Sequence, residues 1–397
     1  MNVENILEKS LKSFGEISAK GINTLKESGL KLDPEYYLHT KFDKYLSGLK
    51  FSASSEEKNI IESDITFENG YLTSHKEDIS GVTISKIDSN HPLAQGLTFD
   101  QGLKSLHHSF VNDAILIEVA KNTEVERPII INHLATTSGI HAPLVFIKLN
   151  PFSKISVLEN YTGNVSEYAC IGETHVQVMT GAKLEHIQVD QGSKEALHHG
   201  HVYSDVSKDA TYSHLAFHLD GKVIRKNTET NLLESGSHGE SYSLFLTEQS
   251  EHSDISTVIN HISADTTSDQ ISKGILSDTS KGIFTGKIHI HPQAQRVASA
   301  QINRNLLLSP KAQIHSQPQL EIFADDVKCS HGSTTGQMSD EELFYFQARG
   351  IAPDRARTFL AHGFALEVVT KIKNDHLRKR ISDLVLKHLG TKFNIGE

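Results

Sequence analysis

Cys329 and His331 stand at i and i+2 in the segment Asp325-Asp-Val-Lys-Cys-Ser-His-Gly332. On an extended backbone that spacing turns both side chains to one face, where a thiolate and an imidazole could address one metal centre. Spacing alone favours a buried structural cysteine with a hydrogen-bonded histidine beside it over a metal site. Histidine is abundant, at 24 residues. His198, His199 and His201 cluster, His289 and His291 alternate on one face, and His252 and His261 flank Asp254. None has a cysteine or carboxylate at companion spacing, so these are expected to be solvent-facing polar positions rather than ligands. Gly282-Ile-Phe-Thr-Gly286-Lys287 is one residue short of a phosphate-binding loop and has Ile288 where a magnesium-binding hydroxyl belongs. A β-turn is expected there, and no nucleotide hydrolysis by this chain.

These residues need elements to hold them. Between about Phe152 and Asp326 the chain runs in short alternating stretches without helical pattern, which reads as an all-β body. The segments beginning at Lys154, Lys183, Thr211 and Glu240 start 29, 28 and 29 residues apart, each after a small residue: Ser153, Ala182, Ala210 and Gly239. A strand repeated at nearly constant spacing is what a solenoid produces, because each coil buries its inward side chains only by stacking on the next. A β-sandwich with evenly spaced hairpins has a similar spacing, but hairpin dipeptides are sparse here. Ahead of the body, Ile6, Leu7, Leu11, Phe14, Ile17, Ile22 and Leu25 follow a helical period. Short apolar runs such as Ala114–Val119 and Pro128–Asn132 form a β-rich lead-in. Behind the body, Ser339 to Glu342 forms a capping box for a helix that Gly350 ends. A second helix begins at Pro353, with a stripe of Ala356, Phe359, Leu360, Phe364, Val368 and Ile372. A third carries Leu377, Ile381, Leu384, Val385 and Leu389. The expected divisions are an N-terminal helical region (1–65), the lead-in (66–150), the core (151–337) and a C-terminal helical module (338–397).

A net charge of −10 without a basic block argues against nucleic acid or an anionic membrane as partner. No run approaches the roughly 20 apolar residues of a membrane span, and no secretory signal is legible, so a cytoplasmic protein is expected. Its two cysteines, Cys170 and Cys329, are too few for a disulfide framework and are expected to be reduced thiols.

The C-terminal half resembles the SufB/SufD family, whose members scaffold iron–sulfur clusters together with an ABC-type ATPase, SufC. The resemblance is carried by Lys273-Gly-Ile-Leu-Ser-Asp, Gly282-Ile-Phe-Thr-Gly-Lys-Ile, Gln301-Ile-Asn-Arg-Asn-Leu-Leu-Leu-Ser309, Pro318 through Gly332, and Leu343-Phe-Tyr-Phe-Gln-Ala-Arg-Gly-Ile351. Asn69-Gly-Tyr-Leu, Ser80-Gly-Val and Glu126-Arg-Pro-Ile extend it more weakly toward the N-terminus. Where the SufB type carries a cysteine in Cys-Asp-Ser-Leu-Leu, this chain reads Asn303-Arg-Asn-Leu-Leu. An amide does not replace a thiolate on iron, so the resemblance leans to the SufD type.

That resemblance implies a mainly β fold, a right-handed parallel β-helix flanked by N- and C-terminal helical modules. It implies a scaffold subunit rather than an enzyme. It pairs through its β-helix with a SufB-like subunit, or with itself in isolation, and docks a SufC-like ATPase on the C-terminal helices. Phe344, Tyr345, Arg349, Gly350, Phe359 and Phe364 are the residues expected to serve that docking. His331, with Cys329 beside it, would face a transient iron–sulfur cluster shared with the partner, and an imidazole must be neutral to ligate. ATP would enter only through the ATPase, and reduced flavin is associated with the wider complex. Two other readings remain open: a purely structural partner that never touches the cluster, and a pectin-lyase-like β-helix enzyme, for which clustered carboxylates are missing.

Overall fold

The body turns on a corner repeated in each coil. At Phe152, Gly181, Asp209, Gly236 and Asp265 the backbone is left-handed, with φ of 61, 67, 54, 78 and 59°. A buried small residue follows each of them: Ser153, Ala182, Ala210, Ser237 and Thr266. Left-handed backbone is tolerated by most side chains only as single residues, so each corner is one tight step before the next strand starts. Stacked small residues let these corners lie directly above one another.

The computed structural model describes residues 14–32, 37–49, 62–76, 79–98, 102–338 and 340–393. Helices α1 (Gly15–Ser28), α2 (Phe42–Gly48), α3 (Pro92–Gln95) and α4 (Leu103–Phe110) lie before the solenoid in sequence. The first strands are β1 (Ile65–Glu68), β2 (Tyr71–His75), β3 (Val82–Ile87), β4 (Ala114–Val119), β5 (Ile129–Ala135), β6 (Ile140–His141) and β7 (Leu144–Leu149). Regular coils follow as β8 (Lys154–Gly163), β9 (Ala169–Val178), β10 (Lys183–Gln191), β11 (Leu197–Val206), β12 (Thr211–Asp220), β13 (Val223–Leu232) and β14 (His238–Thr247). They continue as β15 (His252–His261), β16 (Thr267–Leu276), β17 (Lys281–Ile290), β18 (Val297–Leu307), β19 (Gln313–Ile322) and β20 (Val327–Gly336). Helices α5 (Asp340–Gln347), α6 (Pro353–Val369) and α7 (Asp375–Phe393) close the chain's described part.

Successive strands alternate between two sheets. One runs β2-β1-β5-β8-β10-β12-β14-β16-β18-β20, the other β19-β17-β15-β13-β11-β9-β7-β4-β3 with β6 beside β9. Every coil pairs in parallel with the next, so the body is the parallel β-solenoid expected from the spacing. It begins earlier than Phe152, because β4, β5 and β7 already pair in parallel with later strands. Lys154, Lys183 and Thr211 are register partners as aligned, but Thr211 pairs with His238, not Glu240. A slip of two residues preserves which side chains face inward, so the alternation by itself does not expose it.

The two ends of the solenoid differ. Antiparallel pairs, β1 with β2 and β3 with β4, close the first end. At the other, β19 and β20 terminate their sheets, each with a neighbour on one side only among the described residues.

Helices cover the outer faces. α1, α2 and α4 bury Ile17, Leu25, Phe42 and Leu106 against Leu116, Phe146 and Ile171 of the second sheet. Ile6, Leu7 and Leu11 lie outside the described residues. On the first sheet, Ala361, Val368, Leu377, Ile381, Val385 and Leu389 pack on Ile187, Leu215, Phe217 and Leu244. Each such aliphatic contributes up to about 1.5–3 kcal/mol of transfer free energy. The expected stripe of α6 is corrected at Phe359, which is 46% exposed. The tail lies along the solenoid: Lys273 Nζ donates to the Phe364 carbonyl at 3.0 Å, Asn374 N to Glu185 Oε2 at 3.1 Å and Asn374 Nδ2 to the Glu126 carbonyl at 3.2 Å. α7 then returns to Asp220 and Glu251 through His388 and Lys392. Ser339 and the Glu342 side chain, the expected capping box, lie outside the described residues. Gly350 has φ 78°, as a left-handed helix terminator should.

Candidate functional site

Cys329 and His331 lie on β20, the terminal strand, and extend two columns of inward-facing side chains. Cys329 continues Leu184, Tyr212, Gly239, Ser268 and Ser299; His331 continues His186, His214, Ser241, Gln270 and Gln301. Strand alternation sends both columns into the lumen, as the i, i+2 spacing requires. Because no further coil stacks on β20, the Cys329 side chain is half-buried, packed near Ile288 and Ile290, and His331 is exposed at the rim. Burial pushes the Cys329 thiol up, so a nearby cation is needed to hold it as a thiolate. Asn303, one step inside the rim, is buried; its Nδ2 donates to the Ser272 carbonyl at 3.2 Å and its Oδ1 accepts from Asn305 at 2.6 Å.

Deeper coils hold ionised groups. Glu159 Oε2 is 2.8 Å from His133 Nε2, and its Oε1 is 2.7 Å from His186 Nε2 and accepts from Thr174 Oγ1 at 2.8 Å. Burial alone would raise that carboxyl, but the His133 and His186 contacts outweigh it and hold it well below the usual range. Asp190 is held low in the same way against its burial, with Lys226 Nζ at 3.2 Å and His198 Nδ1 at 2.8 Å. Cys170 lies among these groups, and burial pushes its thiol up to about 12, which makes it a poor ligand beside Cys329.

The histidine expectation is corrected. His198, His199, His252 and His261 are buried rather than solvent-facing, because the lumen and the helix-covered outer faces both take polar side chains. His289 is half-buried, with Nδ1 2.8 Å from Glu321 Oε2, an acidic companion supplied by β19 rather than by sequence neighbours. The expected turn at Gly282–Lys287 is instead the middle of β17. A Cβ at Gly282 would meet the Phe245 ring and one at Gly286 the Phe284 ring, so both glycines make room for packed aromatics. Missing from the sequence reading were the Glu159 and Asp190 networks and the His107-His108 pair. The stacked left-handed corners, once aligned, would have placed the first two in the lumen.

The residues expected to serve docking divide. Phe344 and Tyr345 are 70% and 55% exposed on α5, and the Phe359 ring stacks 6.1 Å from that of Phe346. The Arg349 guanidinium lies 3.5 Å from the Tyr345 ring centroid, and Gly350 follows at the helix end. Phe364 faces the solenoid instead, with Lys273 Nζ 4.1 Å from its ring centroid.

Residues 131–364, more than half of the chain, match the family described as SUF system FeS cluster assembly, SufBD core domain. The chain belongs to the SufB/SufD family. Among its relatives is the iron-sulfur cluster assembly protein SufD of Escherichia coli strain K12, 28% identical over 310 residues, 76% of this chain and 73% of that protein. SufD of Bacillus subtilis strain 168 is 25% identical over 358 residues, 88% of this chain and 78% of that protein. This SufB/SufD protein is thus SufD-like. An iron–sulfur cluster, the cargo of such a system, commonly takes four protein ligands. Among the described residues, Cys329 and His331 belong to no group of three donors close enough to share one metal ion. No helix among the described residues is long and apolar enough to cross a membrane.

Proposed function

We propose that this chain is the SufD-like half of a two-subunit scaffold: it joins a SufB-like subunit at its uncapped end and presents His331, assisted by Cys329, to a cluster completed by that partner. The observation that carries the reading is the placement of both donors on a ten-residue terminal strand whose outer edge has no neighbouring strand among the described residues. Edges of that length are normally blunted by proline, charge or a covering segment, and β20 has only Lys328 and no proline. A partner strand added there would satisfy the free backbone groups and close the rim around the donors. The aromatic surface of Phe344, Tyr345 and Phe359 with Arg349 is where a SufC-like ATPase docks in this reading. α6 and α7, laid along the solenoid, would carry its nucleotide-driven motion to the coils.

The test is co-expression with a SufB-like and a SufC-like chain. With His331→Ala, folding and ATPase recovery should be unchanged, while cluster yield on the co-purified complex after anaerobic reconstitution should fall. A second reading, a structural partner that never touches the cluster, is favoured by the absence, among the described residues, of a group of three donors that includes Cys329 and His331. Equal yields from parent and variant would establish it over the first.

A further inference from the structure

Away from the rim, α4 packs on the outer face of β9. The last turn of α4 brings His107 and His108 onto Glu173, and all three side chains are buried, at 2, 0 and 2% exposure. Glu173 Oε2 faces both rings: His107 Nδ1 at 3.1 Å and His108 Nε2 at 3.3 Å. The three donor atoms lie within 4.8 Å of one another.

The tautomer of His107 makes this geometry informative. Its Nε2 is 3.1 Å from the Pro143 carbonyl oxygen, which can only accept, so Nε2 carries a proton. In the neutral ring Nδ1 then points a lone pair at a carboxylate oxygen. Something positive must lie between them, either a second proton on the ring or a cation. Distances discriminate. A charge-assisted N–H···O contact in a dry interior closes to about 2.7–2.9 Å. Donors around a tetrahedral metal at about 2.0–2.1 Å are instead separated by about 3.3 Å, the edge of the tetrahedron. The His108 contact, at 3.3 Å, matches that edge, and the His107 contact, at 3.1 Å, lies between the two spacings.

The surroundings support a cation as well. Glu173 Oε1 is held at 2.6 Å by His175 Nε2, and the His175 ring is itself stacked between Phe146 and Tyr203 at 5.3 and 5.0 Å. Such an outer partner orients a ligating carboxylate. Lys104, one turn earlier, directs its ammonium to Thr98 Oγ1 at 2.6 Å and over the Tyr203 ring.

We propose that His107 Nδ1, His108 Nε2 and Glu173 Oε2 bind one divalent first-row transition-metal cation that clips α4 to the solenoid. Two imidazoles and one carboxylate suit zinc, cobalt(II) or iron(II) rather than magnesium or calcium, which prefer all-oxygen sets. Three protein donors leave one position of a tetrahedron for solvent. The site is separate from Cys329 and His331 and does not depend on the function proposed for them.

The test uses the full chain, stripped with chelator and titrated with Zn²⁺ by calorimetry and with Co²⁺ by visible absorption. One equivalent of each should bind the parent, and Zn²⁺ should raise the melting temperature. Co²⁺ should give the intense ligand-field bands of a tetrahedral site without thiolate-to-cobalt charge transfer. The same uptake should persist in the double variant Cys329→Ser, His331→Ala, and be lost in Glu173→Gln and in His107→Gln. A parent that takes up neither metal overturns the proposal whether or not those variants fold. So does uptake that disappears with the rim double variant, which would move the metal to the uncapped end.

Discussion

Asp254 ties the N-terminal segment to the second sheet. Its Oδ2 accepts from the Arg225 guanidinium and from Thr40 Oγ1, and the Tyr37 ring lies 4.2 Å from the Arg225 guanidinium carbon. Arg225 and Asp254 are both buried, so removing the carboxylate strands a charge rather than merely losing a contact. Asp254→Ala should cost about 3–5 kcal/mol, read as a lowered urea midpoint with an unchanged slope. None of this was legible in the sequence: Arg225 and Asp254 are 29 residues apart and meet only because that is one coil. The Cys329–His331 pairing was legible, since two residues on one extended strand share a face whatever the fold. His107 and His108 carried no such local signal, because their third companion arrives from β9.

At the scale of elements, the C-terminal helices have two unlike surfaces. Phe359 is exposed and stacked only on Phe346, whereas Phe364 is half-buried against the first sheet. Phe359→Ala should therefore shift stability by less than about 0.5 kcal/mol yet reduce recovery of a SufC-like ATPase in a pull-down. Phe364→Ala should cost about 2 kcal/mol, below the about 3–5 kcal/mol of a fully buried aromatic, measured by chemical denaturation. The helical period had marked both as core; a stripe shows which face is apolar, not how far the neighbouring surface extends beneath it. Edge strand β20 has its own test. Ser330→Lys with Gly332→Lys, both exposed positions, should leave the monomer's melting temperature nearly unchanged and abolish co-purification with a SufB-like chain. Retained pairing would place that contact elsewhere.

At the scale of the whole molecule, several buried imidazoles resist protonation. Burial lowers the pKa of His214, takes His218 down to about 3 and takes His252 and His261 down to about 4. In the unfolded chain each titrates near 6.5. Between those values the unfolded state binds more protons than the folded one, so stability rises with pH there. It is fully present above about pH 6.5 and is lost as the pH falls toward 4. Urea midpoints should drop steeply from pH 7 to pH 5, and a flat profile would show these rings to be protonated in place. The solenoid itself was legible because its spacing survives in the sequence; its polar filling was not, since a hydrophilic residue in a strand is ordinarily assigned to the outside.

The tail bears on how such a body comes apart. A stack of coils in contact only with their neighbours ordinarily frays from an exposed terminus inward, one rung at a time. Here the tail lies along many rungs: α6 touches Lys273 in a late coil, and Asn374, between α6 and α7, touches Glu185 in an early one and Glu126 before the regular coils begin. A rung cannot peel away without tearing that seam, so melting should be concerted over the length of the seam. β19 and β20, the last rungs, lie past the three contacts of that seam and should be the first to exchange their amide protons.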